Sequence, residues 1–238
     1  MKIITWNCNM AFRKKAPYIL AYKPDILVIP ECENPERLNF HKSVKAPADI
    51  IWHGSNPHKG LGVFSYNKDL KLKLLDVHND EFRIVLPIEV TGGQYHFILF
   101  AIWAFNPLDQ HYIYVGQIWK AIHHYESLLQ NNNVILAGDF NSNVLWDKPG
   151  KRVNHTDLVS KLSSLNISSS YHSFYNIKHG AELHPTFYLY RHKRRPYHLD
   201  YCFASDSLIQ KLEHVEVSSH RKWAKYSDHV PLVTTFNY

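Results

Sequence analysis

Asn133-Val134-Ile135-Leu136-Ala137-Gly138-Asp139-Phe140-Asn141 (133–141) is an apolar run that stops on a glycine, an acid and an amide. Such a run bounded by turn formers predicts a buried strand over 133–137, with Asp139 and Asn141 delivered just past its end. Outward from this stretch the pattern recurs. Lys2 to Trp6 is a β-branched run ending in Asn7-Cys8-Asn9, and Ile26 to Ile29 is a strand ending on Glu31 and Glu33. Leu199 to Ala204 carries Asp200 near its start, and Asp228-His229 immediately precedes the run Val230 to Phe236. Strands that end on acids and amides converge their tips on one site, which is what a metal–phosphate centre requires.

The rest of the chain reads as mixed α and β. Gly60 to Ser65, Phe82 to Val90, Tyr95 to Trp103 and Thr186 to Leu189 predict further strands, with a hairpin through Thr91-Gly92-Gly93. Lys14 to Tyr22 and Asp157 to Leu165 are helix-like, and apolar residues at helical spacing predict one amphipathic helix over Ile113 to Gln130. No repeat, low-complexity tract or linker divides the 238 residues, so one domain over 1–238 is the expectation.

Composition sets limits. A content of 45% hydrophobic and 14% aromatic residues builds a sizeable core and excludes disorder. The formal charge of +6 points to an anionic partner: nucleic acid, a phosphorylated small molecule or an acidic membrane surface. The 17 histidines read mostly as surface residues. Cys8, Cys32 and Cys202 are odd in number and lack CxxC spacing, so buried reduced thiols are expected rather than disulfides or a thiolate zinc site. The opening MKIITWNCNM has no signal-peptide core, and no run reaches the length of a membrane span. A soluble, reducing, cytoplasmic setting with no evident protein partner is the expectation.

Trp6-Asn7, Pro30-Glu31, Gly138-Asp139-Phe140-Asn141, His198-Leu199-Asp200-Tyr201 and Ser227-Asp228-His229-Val230-Pro231 occur in that order, with Gly62-Val63-Phe64-Ser65 between them. Together they make the chain resemble the endonuclease/exonuclease/phosphatase superfamily along nearly its whole length. The resemblance implies a four-layer αββα sandwich of two facing, mostly antiparallel sheets, and hydrolysis of a phosphodiester with Mg2+, Mn2+ being the alternative. It further implies that Glu31 is the central metal ligand, with Asn7 and Asp228 near the metal or its waters. Asp139 orients or deprotonates the attacking water, Asn141 binds a phosphate oxygen, and His229, polarised by Asp200, donates to the phosphate. Tyr114, with Gln117 and Trp119, resembles a phosphate-contacting tyrosine at a spacing off by one, so ordinary helix packing stands beside that role. Trp103 and Asn9 stand where many members carry histidine and aspartate.

The segment Thr186 to Asp200 is a basic loop with aromatic flanks. Arg191, Lys193, Arg194, Arg195 and Tyr197 there, and Trp223 in the basic segment 220–225, are candidates for substrate contact. They make nucleic acid, DNA or RNA, the leading substrate, with single-stranded or structured forms favoured. The alternatives are a phosphatase or phosphodiesterase of a small-molecule or lipid phosphate, and a non-catalytic nucleic-acid-binding module.

Overall fold

The computed structural model describes residues 1–38, 45–105 and 112–237. In the first part of the chain, strands β1 (Lys2–Thr5), β2 (Ile26–Cys32), β3 (Asp49–Asn56) and β4 (Lys59–Ser65) alternate with the short helix α1 (Ala16–Leu20). The centre holds β5 (Lys71–Leu74), β6 (Val85–Gly92), β7 (Tyr95–Trp103), helices α2 (Val115–His124) and α3 (Glu126–Asn131), and β8 (Val134–Asp139). The remainder runs α4 (His155–Ser164), β9 (Ile167–Ser169), α5 (Ser170–Tyr175), β10 (Phe187–Tyr188), β11 (Pro196–Tyr197), β12 (Asp200–Ser205), α6 (Asp206–Ile209), β13 (Leu212–Val217), α7 (His220–Trp223) and β14 (Leu232–Phe236).

Two six-stranded sheets result, ordered β13-β14-β1-β2-β4-β3 and β5-β6-β7-β8-β12-β9, with β10-β11 as a separate hairpin. Among the described residues, only β1–β2 and β7–β8 pair in parallel. Side-chain alternation along each strand feeds three apolar layers. Ile3, Val28 and Val63 of one sheet meet Leu86, Leu99 and Ala137 of the other between the sheets. Phe100, Leu136 and Phe203 turn outward onto α2 and α4, while Ile4, Leu27 and Ile29 turn outward onto Phe12, Ile19 and Trp223. This is the four-layer α/β sandwich.

Local departures from the sequence reading have identifiable causes. The helix over 14–22 is a 3-10 turn at Phe12–Lys14 followed by α1, because Pro17 lacks an N–H and restarts the helix at its first turn. The helix over 113–130 divides at Tyr125, whose backbone leaves helical geometry and whose hydroxyl accepts from the Asn79 amide at 3.0 Å. The strand expected from Phe82 begins at Val85, after a 3-10 turn capped by the Asn79 side chain. β3, β5 and β13, absent from that reading, are strands whose polar residues face solvent. Gly138 has φ +150, and a Cβ there would lie 1.8 Å from the Ile102 carbonyl oxygen. Only glycine lets β8 pass so close to β7 just before Asp139.

Candidate active site

Five strand ends place the polar residues. At Pro30 the central strand β2 loses a donor, and the register against β4 shifts between Pro30 and Cys32. That bulge holds Glu31 at φ 60 and turns its carboxylate onto the sheet rim. β12 pairs with β8 so that Asp200 sits opposite Asp139. Asn7 follows β1, and Asp228-His229 precede β14, the strand bonded to β1.

The Asn7 side chain ties these ends together. Its amide nitrogen donates to Glu31 Oε1 at 3.3 Å and to Asp139 Oδ2 at 3.0 Å, while its oxygen accepts from the Asn9 backbone at 3.0 Å. A carboxylate oxygen accepts each of these bonds, which fixes the orientation of the amide. Asn9 Nδ2 in turn donates to Asp228 Oδ1 at 3.2 Å. On the other side of Asp139, the Asn141 backbone donates to Oδ1 at 2.9 Å and its amide to Oδ2 at 3.2 Å and to the Ala104 carbonyl at 2.8 Å. His229 Nδ1 donates to Asp200 Oδ2 at 2.8 Å and presents Nε2 3.9 Å from Asp139 Oδ2.

Burial makes this network electrostatically unusual. Asp139 and Asp200 are fully buried, and His229 nearly so. Desolvation drives Asp139 up to about 7, the neighbouring His229 opposing and Asp200 adding to the rise. For His229, desolvation alone would depress the imidazole, but the two carboxylates outweigh it and lift it to about 10. The site therefore couples a carboxylate that can take a proton near neutrality to an imidazolium with an N–H at Nε2.

Residues 4–229 match the model of the Endonuclease/Exonuclease/phosphatase family. The chain belongs to that family. As a member of this family of metal-dependent phosphoester hydrolases, it is an enzyme. Its fold is similar to that of a 3′-5′ exonuclease from Neisseria meningitidis, with 20% identity, all of both chains covered and a TM-score of 0.66. An AP endonuclease from Archaeoglobus fulgidus gives 21% identity, all of both chains and 0.68. An AP endonuclease from Leishmania major gives 14% identity, 100% of this chain, 87% of that one and 0.73. A search of curated protein sequences gives no significant match.

Of the residues singled out in sequence, Asn7, Glu31, Asp139, Asn141, Asp200, Asp228 and His229 are linked in this exonuclease/endonuclease/phosphatase-type rim by the bonds above. Asn7, expected among the metal ligands, turns its nitrogen and not its oxygen to Glu31, so in this rotamer it clamps two carboxylates. Asn141 aims both amide hydrogens at Asp139 and Ala104. Tyr114 lies at φ 49 before α2 and lines a cavity of 470 Å³ with Asn141, Trp146 and Phe187. Arg191, Lys193, Arg194 and Arg195 are exposed on the β10–β11 hairpin, and Tyr197 is half-buried against Trp146, ring centroids 4.8 Å apart.

Trp223 corrects the sequence reading. It is fully buried, edge-on to Trp6 with centroids 4.7 Å apart, and its indole N–H reaches the Tyr22 hydroxyl at 3.3 Å. One turn of α7 sends Arg221 and Lys222 to solvent and Trp223 into the core, so it is a packing residue and not a substrate contact. Most of the described histidines are exposed or half-buried, as expected, while His155, His172, His198 and His229 are buried.

Two contributors escaped the sequence reading. Lys59, at the start of β4, ion-pairs with Glu31 Oε2 at 3.3 Å and lies over the Trp103 ring at 5.3 Å. Both line a second cavity, of 680 Å³, with Arg83 and Phe105. Phe187 bridges to the His229 backbone and packs on its ring, centroids 4.7 Å apart. No local sequence signal marks Lys59, because the pairing that sets the start of β4 beside the end of β2 joins strands that are not consecutive in the chain.

Proposed function

We propose that the protein is a magnesium-dependent nuclease, a single domain over 1–238 that hydrolyses phosphodiesters of single-stranded or structured DNA or RNA. The observation that carries this reading is the Asn7 amide shared between Glu31 and Asp139, with His229 Nε2 3.9 Å from that same Asp139 oxygen. The donor chemistry fits a hard cation. Glu31 and Asp228 offer carboxylate oxygens, and Glu31 already attracts a cationic group in Lys59. Those two carboxylates would hold magnesium, with manganese the alternative. When bound, the ion neutralises phosphate charge and acidifies water.

The chain's own groups do the rest. Asp139, held by Asn7 and Asn141, takes the proton of the attacking water. The water oxygen bonds to phosphorus as the bond to the leaving oxygen breaks. His229, kept protonated by Asp200, donates from Nε2 to the charge that develops on the phosphate oxygens. Tyr114, Trp146 and Phe187 give bases faces to stack on, Lys148 and Lys151 line the same cavity, and the basic hairpin grips the backbone. Among similar folds is a 3′ phosphatase from Neisseria bound to a product DNA hairpin, at 21% identity.

The test is purified protein with magnesium, and again with chelator, on labelled single-stranded DNA, duplex DNA, RNA and a phosphoinositide. Chelator-sensitive cleavage of single strands, faster than of the matching duplex, is the expected result. Duplex cut at least as fast removes the strand preference, and turnover confined to the phosphoinositide removes the nuclease reading.

A further inference from the structure

Around Glu182, which accepts from the Asn143 side chain, lies a second cluster of histidines. His172 on α5 points Nε2 at Glu182 Oε1, 3.1 Å away. The His179 ring stacks on it, with centroids 3.5 Å apart. One donor atom from each of His172, His179 and Glu182 falls within 4.8 Å of the others. Two donors on a tetrahedral zinc, each about 2.0–2.1 Å from the ion, stand about 3.3 Å apart, close to the His172–Glu182 separation.

The surroundings are those of ligands and not of a chance pile of rings. Metal-binding histidines are oriented through the ring nitrogen that does not touch the metal. His172 Nδ1 is held by Ser169 Oγ at 2.7 Å, leaving Nε2 to face Glu182. His179 Nδ1 meets His155 Nε2 at 3.4 Å, and His155 Nδ1 meets Ser142 Oγ at 2.7 Å, a relay that leaves His179 Nε2 without duty. Glu182 Oε1 is braced by Asn143 Nδ2 at 3.2 Å and the Gly180 amide at 2.9 Å. Next to this group, His198 donates from Nδ1 to the His184 carbonyl at 2.8 Å, so its fully buried Nε2 keeps a lone pair with no partner.

Charge state agrees with the geometry. Desolvation lowers His155 to about 4, His179 to about 3 and His198 to about 4, so these imidazoles are neutral at pH 7. Burial alone would raise Glu182, but hydrogen bonds from His172 and Gly180 overcome it and hold the carboxyl at about 2. A surface depression of 230 Å³, bordered by Ser169, Ser173, Phe203 and the two candidate ligands His172 and His179, gives an entry path.

We propose that His172, His179 and Glu182 form a zinc site distinct from the catalytic rim, with His155 positioning His179 and water in the fourth place. The two-imidazole, one-carboxylate set suits zinc and disfavours magnesium, which prefers all-oxygen surroundings. Binding opens the stack of the two rings and pins the 172–182 segment to Asn143, two residues beyond Asn141.

The test uses the full chain, loaded with one equivalent of ZnCl2, passed through a desalting column in excess MgCl2 and read for retained zinc by mass spectrometry. Wild type and Glu31→Gln should each keep about one zinc per chain, and His179→Gln and Glu182→Gln should keep none while retaining native circular dichroism. His155→Gln should bind zinc 10–100-fold more weakly in a chelator competition, the loss typical of an orienting partner. Cobalt in place of zinc should give the visible bands of a four-coordinate ion that excess magnesium does not bleach. The proposal is overturned if wild type keeps no zinc, if Glu31→Gln alone abolishes retention, or if His179→Gln keeps it. Should the ligand variants fail to fold, displacement of cobalt from wild type by magnesium overturns it instead.

Discussion

The rim around Asp139 and the cluster around Glu182 are built from the same two kinds of group, carboxylate and imidazole, yet they settle into opposite charge states. At the rim two buried carboxylates, Asp139 and Asp200, face one imidazole, and the result is an imidazolium beside a carboxyl that titrates near 7. In the cluster Glu182 faces His155, His172, His179 and His198, with Asp147 near His155 and Asp200 near His198, and burial leaves His155, His179 and His198 neutral. The ratio of carboxylate to imidazole in a low-dielectric pocket, more than the identity of the residues, decides which groups carry protons. One arrangement suits proton transfer and the other suits ligation.

The largest effect that tests this contrast lies at the rim. Asp139→Asn and His229→Ala should each lower kcat by roughly 10²–10⁴-fold on a labelled oligonucleotide, the range of a lost general base or charged donor. Changing His198 to Gln should leave kcat within a few-fold, because that imidazole serves the other network. Near-wild-type turnover in both rim variants rejects their roles. A His198→Gln loss as large as theirs merges the two networks into one.

The next effect is on stability and differs in sign between the networks. In the folded chain His155 and His198 resist protonation down to about 4, whereas unfolded histidine titrates near 6.5. A depressed folded value contributes stability above pH 6.5 that is lost as pH falls toward 4, on the order of 3 kcal/mol for each group. His229 is raised to about 10, so its contribution is present below 6.5 and is lost as pH rises toward 10. Urea midpoints in chelator from pH 4 to 10 should therefore fall on both sides. His155→Gln should soften the acid limb and leave the alkaline one; an unchanged acid limb breaks the assignment.

How much of each network was legible in the sequence follows from how it is built. The rim is made of residues at or just past strand ends, so Asn7, Glu31, Asp139 and Asp200 stood out as polar breaks in apolar runs. The bulge that aims Glu31 was written in Pro30, yet the partner Lys59 comes from another strand and shows only once β2 and β4 are paired. The cluster has no such signature. Its residues lie on two helices and in loops, at spacings that match no short metal motif, and each histidine taken singly looks like surface. The density of histidine between 155 and 198 was the available cue. Trp223 was misread for the converse reason: its neighbours in sequence are basic and exposed, whereas a single helical turn reverses its direction.

The smallest effect concerns charges that belong to neither network. Arg194 and Arg195 are exposed at the tip of the β10–β11 hairpin, where water screens them from Asp139 and His229. Their removal should therefore alter binding without altering chemistry. If both touch phosphates of a single strand, the double change Arg194→Ala with Arg195→Ala should make the slope of log affinity against log salt shallower by about 1.4, since each lost contact is worth about 0.7. The kcat at saturating substrate, and its pH profile, should stay where they are. A flattened slope with constant kcat keeps recognition in the solvated hairpin and catalysis in the buried rim. A shifted pH profile means instead that the hairpin's field reaches His229, and the buried network is then less insulated than its burial implies.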